Sequence, residues 1–277
     1  MDKPGLAARI AGAFVPTFRY WAQTEVHVYA FSIAANVLLS FFPFLIVCIG
    51  LSRIFFDQRT TIAAIDFALH DYFPNALGDF LHSDAHNNLP LGRPPQFISI
   101  LLLLFTANGI FVPLEVALNR VWGIANNRSY LRNQIVSLAL IFACGVLALV
   151  SLGITALHHE SLKGAPAAWF QIIFLKFAAV PLAVFVLFLV YRFLPNGKPP
   201  LKRIVPAAIA VGLLLELLKY VNALIWPGFD AKLAREYGVF RYSVSLILLG
   251  FAASMLVLAG AEWAARGHRF DGPKAAG

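Results

Sequence analysis

The chain has 277 residues, 60% of them hydrophobic and 13% charged, with a mean hydropathy of +0.74 and a formal net charge of +8. Soluble domains carry about 25% charged residues, so this composition excludes a fold whose surface must be wetted on all sides. The basic residues fall between apolar runs and form no tract or aromatic-laced stripe, which points to an anionic membrane surface and away from nucleic acid.

The first 25 residues include Asp2, Lys3, Arg9, Arg19 and Glu25 and contain no continuous apolar run, so no cleaved signal peptide is expected. Residues 5–25 mix Arg9 and Arg19 with Leu6, Ile10, Phe14, Phe18 and Trp21, a pattern suited to an amphipathic segment along the inner interface, with Pro16 expected to bend or break it. Six stretches then reach the roughly 20 residues needed to cross a hydrocarbon core. They are Val28–Ser52, Gln96–Leu118, Gln134–Leu157, Ala168–Tyr191, Ile204–Trp226 and Phe240–Ala264, bounded by charges, prolines or interfacial aromatics such as Trp122, Trp169, Trp226 and Trp263. The expected fold is therefore all-α, a polytopic membrane protein with a six-helix transmembrane bundle. Its parts are an N-terminal interfacial amphipathic segment (1–27), a membrane domain (28–264) with a long outer loop (53–95), and a cytoplasmic tail (265–277).

Of the 22 Lys and Arg, thirteen fall on the side of the N-terminus and seven on the other, with Lys176 and Lys219 inside spans. Positive-inside asymmetry thus predicts that both termini are cytoplasmic, in a bacterial inner membrane. In the outer loop, Ile62, Ile65, Leu69 and Phe73 recur at helical spacing and predict a short helix resting on the bundle. Cys48 and Cys144 each sit in an apolar run and read as small core hydrophobes, not as a disulfide.

Polar residues inside the spans are the candidate functional positions. Glu216 and Lys219 lie one turn apart in the fifth span and can shield one another, yet each charge costs about 2.5–3.5 kcal/mol at a helix centre, so both should face protein or water. Ser32, Asn36, Ser40 and Pro43 share one stripe of the first span, and Asn108, Glu115 and Asn119 one stripe of the second. With Lys176 of the fourth span, they outline a candidate polar pathway comprising Asn36, Asn108, Glu115, Asn119, Lys176, Glu216 and Lys219. The plainer reading is structural: Asn and Ser join helices by hydrogen bonds, and Glu115 and Glu262, near span ends, can pair with Arg120, Arg192 or Arg203. Gly250, Gly260 and Ala261 read as sites of close helix approach.

The segments LNRVWGIANNRSYLRNQ, YRFLPNGK, EYGVFRYSVSLIL and LVLAGAEWAAR, together with LLSFFPFLI in the first span, occur in an order that resembles the YihY/BrkB family of bacterial inner-membrane proteins over roughly residues 20–265. Residues 36–38 read Asn-Val-Leu where that family commonly has an aromatic-rich stretch. The resemblance implies a six-helix inner-membrane protein, under two historical labels: a serum-resistance virulence factor and ribonuclease BN.

A metal-dependent ribonuclease needs a dense cluster of His and Asp to hold zinc and activate water. The nearest approach is His82, Asp84 and His86 in the outer loop, with His70, His158 or His159 as further donors, and the same stretch suits a plain solvated loop. No enzyme activity, cofactor or metal centre is therefore expected. The expected function is transport or export of a small lipidic or anionic solute through the bundle, with membrane lipids as partners and a homo-oligomer compatible with the fold. The competing expectation is a non-enzymatic envelope scaffold.

Overall fold

A computed structural model of the protein describes residues 15–52, 65, 97–125, 129–161 and 168–266. Every long regular element among them is a helix: α1 (Thr24–Ser52), α2 (Phe97–Trp122), α3 (Tyr130–Ser161), α4 (Ala168–Phe193), α5 (Leu201–Tyr237) and α6 (Arg241–Ala265), with a 3₁₀ turn at Gly238–Phe240. Hydrocarbon offers the backbone no hydrogen-bond partner, so apolar stretches of this length close their bonds within the helix, and internal prolines such as Pro43, Pro113 and Pro181 are tolerated. Five helices hold spans long and apolar enough to cross a membrane, and α4 adds the apolar stretch Val180–Phe193. Phe105, Phe142 and Leu224 are 77%, 75% and 82% exposed on the bundle exterior, an arrangement stable only if lipid and not water surrounds it.

The six expected spans each fall on one helix, with one large difference in length. The fifth was expected to end at Trp226, before Pro227, but α5 continues through Pro227 to Tyr237. Proline removes one donor without stopping a helix that is already propagating. At 1.5 Å per residue α5 is about 55 Å long, well beyond a core of about 30 Å, so one of its ends stands clear of the hydrocarbon or the helix tilts strongly. Gly238, at φ +55°, then allows the reversal into α6, and its N–H donates to Ala234 O. Asp230 and Arg241 clasp the turn at 3.5 Å, with the guanidinium 4.5 Å from the centre of the Tyr242 ring. At the end of α2 the chain turns on Gly123 (φ +66°), where Gly123 N–H reaches Arg120 O and Ile124 N–H reaches Asn119 O, the paired bonds of a Schellman ending.

Each helix packs on the next in sequence, and α6 returns to α1, closing a ring; α6 also touches α2. We call the end where α1, α3 and α5 begin and α2, α4 and α6 finish the basal end. The main core lies in that half, built on Ala30, Leu118, Trp122, Tyr191, Leu194, Ile204, Val211 and Leu258. A smaller cluster, Trp226 and Leu246 with Phe41 and Tyr242, holds the opposite half.

Close approach at the basal end depends on small residues. A Cβ on Gly260 would fall 2.2 Å from Val211 Cγ2 and 2.8 Å from Tyr191 Oη, and Tyr191 Oη donates to Val257 O at 2.7 Å. Gly260 and the fully buried Ala261 therefore do the packing work expected of them, whereas a Cβ on Gly250 would meet Ala34 at 3.4 Å, an ordinary contact. Residues 15–21 are helical and dock on α6, where Trp21 Nε1 donates to Met255 O at 3.1 Å. The described part of this segment starts at Val15, so the chain leading into Pro16 lies outside the described residues; after Pro16 the helix runs to Trp21 and ends at Ala22–Gln23, with Thr17 and Trp21 both tied to α6.

Gly260→Val should destabilise the protein by about 1–3 kcal/mol through overpacking. Gly145→Ala, at a position with nothing within 4 Å of the added carbon, should leave it unchanged or slightly stabilised. Unfolding of both variants in detergent micelles measures the difference.

Candidate functional site

Three of the sequence segments that mark the chain meet at the basal end. Asn119, from LNRVWG at the end of α2, is 8% exposed and accepts the Asn196 backbone N–H on Oδ1 at 2.7 Å, while its Nδ2 faces Glu115 Oε1 at 3.4 Å. The turn YRFLPNGKPP is thereby seated under α2, with Leu194, Pro195 and Pro199 buried and Arg192 Nη1 donating to Pro199 O at 2.9 Å. Tyr191 of the same turn reaches α6 through Val257 and Gly260, in LVLAGAEWAAR.

Charge at this end is paired locally. Glu262, expected to reach Arg120, Arg192 or Arg203, is instead held by Arg266 one turn on, at 2.9 and 2.8 Å, and accepts from Thr17 Oγ1 at 3.0 Å. Arg203 donates to Arg266 O, which adds the start of α5 to the same knot. Arg120 pairs with Glu25 at the start of α1. The i, i+4 spacing explains the switch, since Arg266 reaches Glu262 without leaving its own helix face. Burial pushes the Tyr20 hydroxyl well above the ordinary phenol range, and neighbouring Glu262 adds to it.

Deeper in the spans, Lys219 Nζ lies 2.6 Å from Glu216 Oε2, each side chain 15% exposed, so the two charges neutralise one another as the spacing predicted. Other span polars are served by their own helices: Asn36 Nδ2 donates to Ser32 O at 2.9 Å and Ser40 Oγ to Val37 O at 3.1 Å. Asn36 also lies over Gly109, where a Cβ would fall 2.0 Å from its Oδ1, so it marks the α1–α2 crossing. Asn108, next to Gly109 in sequence, lines a cleft of about 730 Å³ between α2 and α3 with Leu101, Phe105, Gln134 and Leu138, and its Oδ1 is buried without a hydrogen-bond partner among the described residues. A second crevice of about 320 Å³, between α1, α2 and α6, is walled by Ile33, Val37, Leu114 and Leu246 with Ser254 bonded to its own helix.

The candidate positions thus form separate groups. Glu115 and Asn119 belong to the basal knot, Asn36 and Asn108 to the α1–α2 crossing and its cleft, and Glu216 and Lys219 to α5. Counted at 1.5 Å per residue from the basal helix ends, Glu216 lies roughly 12 Å deeper than Glu115. Lys176 is in α4, but its side chain is outside the described residues, as are His158 and His159; His70, His82, Asp84 and His86 lie outside them altogether. Of the outer loop only Ile65 is described, helical and 2% exposed. Among the described residues no group of three or more His, Cys, Asp or Glu is placed to hold a metal. Thr17, Tyr191, Asn196 and Arg266, not singled out as candidates, complete the basal knot. Their signal was membership of the marked segments or of the amphipathic start; Arg266 also had Glu262 at i, i+4, whereas the partners of Thr17, Tyr191 and Asn196, tens to hundreds of residues away, had no local signature.

These features define a multi-pass α-helical membrane protein whose most distinctive segments converge at one end of a closed bundle. Over residues 17–276 the chain matches the family described as Virulence factor BrkB, and it belongs to that family. No curated protein and no solved structure matches it.

Asn119→Ala removes the acceptor of the Asn196 N–H. It should cost about 1–3 kcal/mol and release the turn at 194–200. Hydrogen exchange at Asn196 should quicken before any change at Gly238, in the distant α5–α6 turn.

Proposed function

We propose that the protein moves a small lipidic or anionic solute across the bacterial inner membrane, with the basal end cytoplasmic and no chemical change to the solute. The observation that carries this reading is the Glu216–Lys219 pair, two ionisable side chains drawn together at 2.6 Å in the middle of the long apolar helix α5. Retaining such a pair costs desolvation that a pair of apolar residues would not incur, and ionisable groups deep in a span by default mark a pathway. The α2–α3 cleft supports a lipidic passenger: its walls are mainly apolar, and Asn108 offers one buried polar atom to a headgroup. Eight described basic residues at the basal end (Arg19, Arg120, Arg132, Arg192, Lys198, Lys202, Arg203 and Arg266) against Glu25, Glu115 and Glu262 agree with a cytoplasmic placement of that end.

A second reading, a non-enzymatic envelope scaffold that contributes to serum resistance, draws on a different observation. The segments that distinguish the chain spend their side chains on the knot at the basal end, where Asn119, Tyr191 and Glu262 are occupied by structure.

The pair itself separates the two readings. Lys219→Met alone leaves a carboxylate in an apolar span and should destabilise the fold by about 3–5 kcal/mol, whereas Glu216→Gln with Lys219→Met removes both charges and should fold close to the parent. In liposomes carrying fluorescent phosphatidylglycerol or inorganic phosphate, the folded double variant should lose at least tenfold in flux of whichever probe the parent moves. Parental flux in that variant, or no flux of any probe in the parent, favours the scaffold.

A further inference from the structure

The sequence and the fold place three cations around one groove on the flank of the bundle. The groove, about 420 Å³, runs between α3 and α4 at the basal end and includes Arg132, Arg192 and Lys198 with walls from Leu140, Ala143 and Leu189. On α3 the wall follows one helix face: Arg132, Val136, Leu140 and Ala143 fall at i, i+4, i+8 and i+11. On α4, Leu189 and Arg192 do the same at i and i+3. The helices are antiparallel, so the cations of both stripes lie at the same level, and Lys198 comes to them from the following turn. Ala143 lies about 16 Å along α3 from Arg132, so the groove runs from headgroup depth into the acyl region.

Among the described residues, none of the groove's lining side chains is acidic. The described acids of the basal end are engaged elsewhere, Glu25 with Arg120, Glu262 with Arg266 and Glu115 with Asn119. Arg192 is held in place by its bond to Pro199 O, which leaves further guanidinium donors for a ligand. Three cations over an apolar trough complement a phosphate headgroup attached to acyl chains, and basic recesses between helices on the cytoplasmic side suit such lipids.

We propose that the α3–α4 groove is a binding site for an anionic membrane phospholipid, its phosphate at Arg132, Arg192 and Lys198 and an acyl chain along Leu140 and Ala143. The site shares no residue with the Glu216–Lys219 pair and stands whether the protein transports or scaffolds.

The test uses the full-length protein in detergent, with bound lipid read by native mass spectrometry against added phosphatidylglycerol, phosphatidylethanolamine or inorganic phosphate. The parent should hold phosphatidylglycerol at least tenfold more tightly than phosphatidylethanolamine. Arg132→Gln with Lys198→Gln should weaken phosphatidylglycerol by roughly thirtyfold, since each basic residue near a headgroup is worth about fivefold. Arg19→Gln with Lys202→Gln, which removes the same charge from exposed positions of the same end outside the groove, should change it less than twofold. Ala143→Trp, which fills the trough and leaves every charge, should also weaken it at least fivefold. Equal losses in the two charge variants would reduce the site to general surface attraction and overturn the proposal. So would full competition by inorganic phosphate at equal concentration, or undiminished binding in Ala143→Trp.

Discussion

Hydrocarbon cannot hydrogen-bond to a peptide group, and the rest of this structure follows from that constraint. It forces each apolar stretch to close its own backbone bonds as a helix, and it removes the hydrophobic effect as a force between helices, since lipid tails are as apolar as leucine. Association must then come from close packing and a few directed polar contacts. Gly260 against Val211 and Tyr191 supplies the first, and Asn119 to Asn196 supplies the second. Both lie at the basal end, and the main core lies there too.

Among the described residues, these contacts gather toward the basal end. The bundle's basal half is tied by the N-terminal segment, the α4–α5 turn and the Glu262–Arg266 pair, whose partners lie on different helices. Its other half has the smaller Trp226–Leu246 cluster and the long α5, with Leu213, Leu217 and Leu224 exposed along it. The Glu216–Lys219 pair lies toward that half, while Glu115 and Asn119 are locked into the basal one.

Charge placement has two distinct jobs in this protein. Paired charges, such as Glu262 with Arg266, close the basal end and are satisfied within it. Arg132, Arg192 and Lys198 are gathered in one groove with no acid among its described lining residues. Net positive charge counted from composition merges the two and describes neither.

By itself the sequence determined the medium, the six helices and the pairing of Glu216 with Lys219, because each depends on residues within one stretch: apolar length sets a span, and a separation of three residues sets a helical neighbour. The Schellman ending at Gly123 and the reversal at Gly238 were legible as glycines in marked segments, though their positive φ was not. Tertiary structure alone decided that α5 runs on past Pro227, that Glu262 also takes Thr17, and that the candidate polar residues divide into separate groups at different depths, whereas the Glu262–Arg266 pair is a helical i, i+4 neighbour. Helix periodicity states which face a residue occupies, but the angle and depth at which that face meets another helix depend on how glycines and bulky side chains fit across the whole ring, and that information is held by no single segment.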